Sequence, residues 1–294
     1  GTSEQGLQEK YTDKNAMTQL ADDIGIQCPK SRYCQWDSNI DDVTYPCLIK
    51  PAHQKPGHYN EFKFKICKTK ADLKRTLKMV RHDSEFILQD YIQKEKDLLV
   101  YGARMWDGKT VLAGAMIRDR WADSGSSSHG LMTMNIPTCI DSAKICEFLD
   151  RIDYHGVFSF EYGMVEDKAY FFEVNLRNDG TSHYFYQSGA NIPLAYAYSC
   201  IGEDYTQVST KVTEERWFID EVFDFENVIK GTISWKQWKD DRKQATVLKY
   251  YDSDDEEPWR YVMNSRWRQT AQDLILKRFR LYIIYILDKL GLRK

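Results

Sequence analysis

The sequence predicts an α+β fold. Its strand-like segments come in antiparallel hairpins, one turning at Asp107-Gly108 and one near Asp167. Stretches of helical periodicity lie between and after these hairpins, without the strict strand–helix alternation of a parallel sheet. At 294 residues the chain has ample length for one large core or two small ones.

In chain order, residues 1–13 read as a loose polar start. Residues 14–25 carry Met17, Leu20, Ala21 and Ile24 at helical spacing. Residues 45–50 (YPCLIK) form a short apolar strand, and residues 62–67 alternate with lysines as its half-exposed partner. Thr69 caps a helix through Val80, with Asp72 in capping-box position. Residues 85–91 are another apolar strand, and residues 98–105 and 110–117 flank the Asp107-Gly108 turn. Residues 124–130 read as a Gly/Ser-rich loop. Residues 142–152 form a helix with Ile145, Phe148, Leu149 and Ile152 on one face, followed by Gly156. The second hairpin spans 157–163 and 169–176, and a helical pattern follows around 193–200. The tail holds an acidic stretch at 252–257 and a basic amphipathic helix near 270–290.

Composition narrows the function. There are 41 Lys+Arg against 44 Asp+Glu, a net charge of −3, which argues against a nucleic-acid partner held by phosphate contacts. Seven scattered cysteines without a CxxC pair read as free thiols of a reducing compartment, hence the cytoplasm. The apolar run at 281–287 is far too short to span a bilayer, and no signal peptide is present. Gly1, with no Met before it, reads as a cleavage scar or fragment start, with a domain lost upstream.

The chemistry concentrates in FSFEYGMVEDKAYFFEVNLR. With a turn at Glu166-Asp167-Lys168, the register is symmetric about Asp167 and sets Glu161 opposite Glu173. Glu173, Asn175 and Arg177 then share one strand face with Glu161, while Phe172, Val174 and Leu176 face a core. Like charges directly opposed are destabilising unless a cation lies between them. Mg²⁺ takes such carboxylate and carbonyl oxygens, so Glu161, Glu173 and Asn175 are candidate metal ligands. Arg177 would meet a phosphate or a developing anion. An ordinary solvated hairpin face is the alternative reading.

This E…E-x-N-x-R pattern resembles the metal-binding hairpin of ATP-grasp enzymes, and other pieces follow in that family's order. Asp13-Lys14 before a helix ending in Gly25 resembles its entry helix, whose lysine reaches ATP phosphates. Leu48-Ile49-Lys50-Pro51 resembles the strand whose lysine bridges α-phosphate and adenine. Leu88-Gln89-Asp90-Tyr91-Ile92 resembles the hinge that reads the adenine edge. The resemblance places Asp97 on the ribose and a basic residue, Arg118 or Arg120, at the γ-phosphate. It covers roughly residues 12–205 and looks closest to the D-aspartate ligase and carbamoyl-phosphate-synthase-like branch. Two features depart from it: the loop after IKP, residues 52–59 (AHQKPGHY), has one glycine, and the hinge carries Gln89 where Glu is usual.

The resemblance implies two α+β lobes holding ATP between antiparallel sheets, plus a C-terminal helical tail. The expected organisation is a loose segment 1–13, an ATP-grasp domain 14–205 with its small lobe at about 45–92, and an extension 206–294 packed on it. The implied activity is a carboxylate–amine ligase using ATP and one or two Mg²⁺, with Mn²⁺ able to substitute. An acyl phosphate forms and an amine displaces phosphate, with Arg177 and Arg118 as catalytic residues. Bicarbonate activation and ATP binding without catalysis are the alternatives. Ser126, Ser127, Ser128 and His129 read as a loop that closes over substrate or binds nothing, and His183 reads as a packing residue. The helix at 270–290 packs on the domain or on a second subunit of a homodimer, with a membrane-surface role for its basic face as the alternative.

Overall fold

The computed structural model describes residues 2, 10–11, 13–52, 64–80, 85–122 and 125–265, together with positions 272, 276, 279, 283 and 286. Residues 53–59 of the expected loop at 52–59 and most of the helix at 270–290 lie outside the described residues. The chain divides into two compact units, residues 1–117 with 133–214, and residues 118–132 with 215–294. The sequence reading drew a single boundary near residue 205.

The first unit opens with helix α1 (Lys14–Asp23). Asp13 caps it, its Oδ1 accepting from the amides of Asn15 and Ala16 at 3.0 Å each. A four-stranded antiparallel sheet follows, in the order β1 (Ser31–Cys34), β4 (Phe86–Asp90), β2 (Cys47–Pro51), β3 (Lys65–Cys67). Strand β1 has no clear alternation and no sequence signal marked it. Helix α2 (Lys70–Leu77) buries Leu73 and Leu77 with Cys34, Cys47, Ile49 and Cys67 of that sheet. Its cap is the predicted one, with the Asp72 amide donating to Thr69 Oγ1 at 3.2 Å.

A second sheet of the first unit lays strands side by side in the order β6, β5, β8, β9, where β5 is Lys96–Arg104, β6 Thr110–Trp121, β8 Gly156–Val165 and β9 Lys168–Asn175. Helix α1 and helix α3 (Ser142–Arg151) cover one face of it. Met17, Leu20, Ile145 and Phe148 pack there with Leu98, Phe158, Phe160 and Phe171. Each fully buried side chain of this size contributes about 1.5–3 kcal/mol. The backbone amide of Val174 donates to Met17 Sδ at 3.0 Å, which ties α1 to β9. Helices α4 (Ser182–Gln187) and α5 (Ile192–Cys200) follow the hairpin.

The second unit contains the end of β6, then β7 (Ser127–Thr133), β10 (Arg216–Ile219) and β11 (Val247–Leu248), with helices α6 (Phe225–Ile229) and α7 (Trp235–Gln244). Strand β7 corrects the expected loop at 124–130. The turn is confined to its beginning, where the Ala122 amide donates to the Ser126 carbonyl at 2.9 Å and Gly125 takes φ 82°. Serine-rich sequence reads as loop because hydroxyls compete locally for the backbone. Here Ser128 and His129 are buried in a strand, and their polar groups are satisfied by Asp224 and Asp119.

Candidate functional site

The hairpin β8–β9 does pair Glu161 with Glu173, by a route the sequence did not show. The turn is Glu166-Asp167, with Glu166 at φ 52°, and the first pairs are Val165↔Lys168 and Tyr162↔Phe171. A register shift between Glu161 and Tyr162 then restores the pairs Glu161↔Glu173, Phe160↔Val174 and Ser159↔Asn175. The expected three-residue turn is therefore a two-residue turn plus a bulge.

The bulge also corrects the faces. Phe171, not Phe172, joins Val174 and Leu176 in the core. Phe172 turns to the side of Glu161 and lays its ring over Gly163, where a Cβ would collide with it. Lys94 Nζ stands 5.8 Å from the Phe172 ring and 2.6 Å from Asp97 Oδ2. Asp97 pairs in register with Gly163 and is buried.

Around Glu161 and Glu173 the hydrogen bonds run along one strand face. Asn175 Nδ2 donates to Glu161 Oε1 at 3.1 Å and to Ser159 Oγ at 3.4 Å. Arg177 Nη2 reaches Asn175 Oδ1 at 3.4 Å. Ser159 Oγ donates to Asp179 Oδ2 at 2.6 Å, and Tyr101 OH donates to Asn178 Oδ1 at 3.1 Å. Sequence reading missed Ser159, Asn178 and Asp179. The signal was present: Ser159 lies two residues before Glu161 on the same face, and Asn178-Asp179 follows within four residues of the end of the strand that bears the candidate ligands.

Two lysines from separate elements converge here. Lys14, at the start of α1, places Nζ 2.6 Å from Glu173 Oε2. Lys50, on β2, donates to Gln89 Oε1 on β4 at 3.4 Å. Burial, and then the nearby Lys14 ammonium, depress the Lys50 pKa to about 8, with Glu173 acting in the opposite direction. A half-buried lysine beside a second ammonium is a site that an anion would stabilise.

The other expected residues lie on several elements. Asp90 ends β4, and its amide donates to the Lys30 carbonyl at 2.8 Å. The Tyr91 amide donates to the Pro46 carbonyl at 3.3 Å, and the Ile92 carbonyl accepts from Lys94 at 2.9 Å. Arg118 and Arg120 lie in the second unit. Arg118 Nη1 donates to Ser127 Oγ at 3.1 Å. Arg120 is engaged on both sides, with Nε and Nη2 on the two oxygens of Asp224 at 2.9 Å each and Nη1 on Asp241 at 2.7 Å. His183 Nε2 lies 2.9 Å from Gln187 Nε2, a contact within its own helix.

Among the described residues no group of three or more His, Cys, Asp or Glu could hold a metal ion, and no helix is long and apolar enough to cross a membrane. Glu161, Glu173 and the Asn175 amide oxygen are hard oxygen donors that fit Mg²⁺, but they supply only part of its octahedral shell. The other ligands would have to come from a bound polyanion and water.

No protein-family pattern and no curated protein sequence matches this chain. Solved structures do match its fold. One is an N5-carboxyaminoimidazole ribonucleotide synthetase from Thermus thermophilus, at TM-score 0.60 and 14% identity, covering 74% of this chain and 59% of that one. Another is the ADP complex of a second such synthetase, PurK, at TM-score 0.62 and 16% identity, covering 77% of this chain and 60% of that one. A third is an L-amino acid ligase from Bacillus licheniformis, at TM-score 0.56 and 11% identity, covering 72% and 53%. This chain therefore spans less than two thirds of their lengths.

Proposed function

We propose that this chain, which has the ATP-grasp fold, is the nucleotide-binding part of an ADP-forming ligase that joins a carboxylate to an amine through an acyl phosphate. One observation carries the proposal: Lys14, Lys50 and the facing Glu161–Glu173 pair converge from a helix, a strand of one sheet and a hairpin of another. Phosphoryl transfer asks a protein for positioning and charge neutralisation more than for covalent help, and this set supplies both.

Lys50 and Lys14 bind phosphate oxygens. The anion relieves their mutual repulsion and raises the Lys50 pKa back toward its ordinary value. Asp97 holds the ribose hydroxyls, and the hinge of Gln89, Asp90, Tyr91 and Ile92 lies along the base. Of the two arginines, Arg118 is the one to face the transferring phosphoryl group, because the Arg120 guanidinium is committed to Asp224 and Asp241. Arg177, oriented by Asn175, stabilises the acyl phosphate and then the oxyanion formed when the amine attacks. A divalent metal bound by Glu161, Glu173 and Asn175 supplies further neutralisation of phosphate charge when present. The γ-phosphoryl group moves to a carboxylate oxygen, releasing ADP. The amine nitrogen then bonds to the acyl carbon as phosphate leaves with its bridging oxygen.

A second reading takes bicarbonate as the acid. It is favoured by fold neighbours whose names denote carboxylation, the carboxyaminoimidazole synthetases and a pyruvate carboxylase from Rhizobium etli. Phosphate release with ATP and Mg²⁺ tests both readings. One arm offers amino acids as acid and amine, and the other offers bicarbonate. Release that requires an amino-acid carboxylate supports the ligase, and release with bicarbonate alone supports the second reading. Thermal protection by ATP with no phosphate release in either arm leaves a binding module, and no protection at all overturns the nucleotide site.

A further inference from the structure

A cavity of about 220 Å³ opens in the first unit where the loop after α1 meets the start of α3. Gly25 and Gln27 line it from that loop, Asp141 and Lys144 from the start of α3, and Tyr162 from β8. It lies on the reverse of the hairpin from Glu161, since Tyr162 belongs to the core face of β8. Its volume matches about seven waters at about 30 Å³ each, which is below the drug-sized range and suits a small metabolite.

Three polar groups in its wall have bonding capacity left over. Tyr162 is only 2% exposed, with its ring against Phe160 and Phe171. Its hydroxyl makes no hydrogen bond among the described residues. Burial raises the phenol pKa, so the group stays an O–H donor. Lys144 occupies the first turn of α3, where the helix dipole disfavours a cation. One of its three N–H groups goes to the Gly25 carbonyl at 2.6 Å, and it forms no ion pair among the described residues. Asp141 Oδ1 accepts the Ala143 amide at 2.9 Å, and this carboxylate also meets no cation among the described residues.

The wall thus carries one positive charge, one negative charge and a buried donor. An unsatisfied buried donor is costly, and a ligand that bonds it removes that cost. A simple anion would face Asp141, and a simple cation would face Lys144. A ligand bearing both charges satisfies all three groups. We propose that this cavity binds a small zwitterionic α-amino acid, with its carboxylate on Lys144 and the Tyr162 hydroxyl and its ammonium on Asp141. The site is separate from the Glu161–Glu173 face and does not rest on the ligase reading.

Chemical-shift titration of the full chain with glycine, L-alanine and L-threonine, without nucleotide, tests it. L-alanine amide lacks the carboxylate and N-acetyl-L-alanine lacks the ammonium, and these are the controls. Saturable binding is expected for the amino acids. Either control should bind at least about tenfold more weakly, for the loss of one charge-assisted contact. Tyr162→Phe removes a hydroxyl that the free protein leaves unbonded, so the variant should keep its stability and bind about 2–10-fold more weakly. Asp141→Asn keeps the helix cap and Lys144→Met removes the ammonium, and each should lower affinity about 10–100-fold. Glu161→Gln, on the opposite face, should bind as the parent does. No binding, binding indifferent to Lys144→Met and Tyr162→Phe, or a control bound as tightly as L-alanine overturns the proposal. Binding lost in Glu161→Gln but kept in Tyr162→Phe overturns it too, by placing the amino acid at the proposed catalytic site. ATP protection is measured separately, so failure here leaves the nucleotide site standing.

Discussion

Glu161 and Glu173 stand directly opposite one another across β8 and β9 only because one bulged residue lies between them and the turn. Without it, the two-residue turn at Glu166-Asp167 would put Glu161 opposite Phe172. Asn175 donates to one glutamate and Lys14 pairs with the other, so in the free protein the two charges have separate partners.

That arrangement predicts opposite effects of one substitution. Glu161→Gln removes one of two facing like charges, so the ligand-free protein should be as stable as the parent or slightly more stable. Protection by ATP with Mg²⁺ should weaken about 10–100-fold, the range for a lost charge-assisted ligand. Thermal unfolding with and without nucleotide reads both effects. A variant destabilised without ligand but protected normally would remove Glu161 from the site.

Lys50 gives a pH dependence. Its pKa is depressed to about 8, so above that pH the free site is increasingly neutral. Folding therefore releases a proton from this lysine between its folded and unfolded pKa values, and its contribution to stability rises with pH across that window. Bound phosphate should restore the charge. ATP binding near pH 9 should take up protons, and binding near pH 6.5 should take up none at this group. Calorimetry in buffers of differing ionisation enthalpy measures the uptake, and uptake that survives Lys50→Met would assign it elsewhere.

In a direct test of the same contact, Lys50→Ala should reduce ATP protection by about 1–3 kcal/mol with Mg²⁺ in both arms. Equal protection of variant and parent would show that Lys50 is not a phosphate ligand.

Arg120 and Arg118 should separate by stability. Asp224 is fully buried and held by Arg120, Ser128 and Asn227. Arg120→Ala strands that charge and should cost about 3–5 kcal/mol in urea unfolding. Arg118→Ala should cost less and should lower phosphate release more than nucleotide affinity. A stable Arg120→Ala variant that loses turnover would reverse the assignment.

The bulge is testable at Gly163. A Cβ there would enter the Phe172 ring, so Gly163→Ala should destabilise by about 1–3 kcal/mol through overpacking. Phe172→Ala in the same chain should recover much of that loss. Additive losses would mean that the two residues do not meet.

The sequence alone determined the α+β class, the two hairpins, the cap at Thr69, and the candidate set on one face of the second hairpin. These are short-range properties. Period-two alternation, helical spacing and capping hydroxyls or carboxylates act over a few residues, and so they are written locally. Tertiary structure decided the rest. Nothing local separates Phe171 from Phe172 in a Tyr-Phe-Phe-Glu run, and the core chose Phe171 by shifting the register. Ser128 and His129 read as loop because their partners, Asp224 and Asp119, lie 96 and 10 residues away. Arg118 and Arg120 are equivalent in sequence, and only the fold brings Asp224 and Asp241 to one of them. A polar side chain acquires its role from the partner that satisfies it, and where that partner is distant in the chain, only folding supplies it.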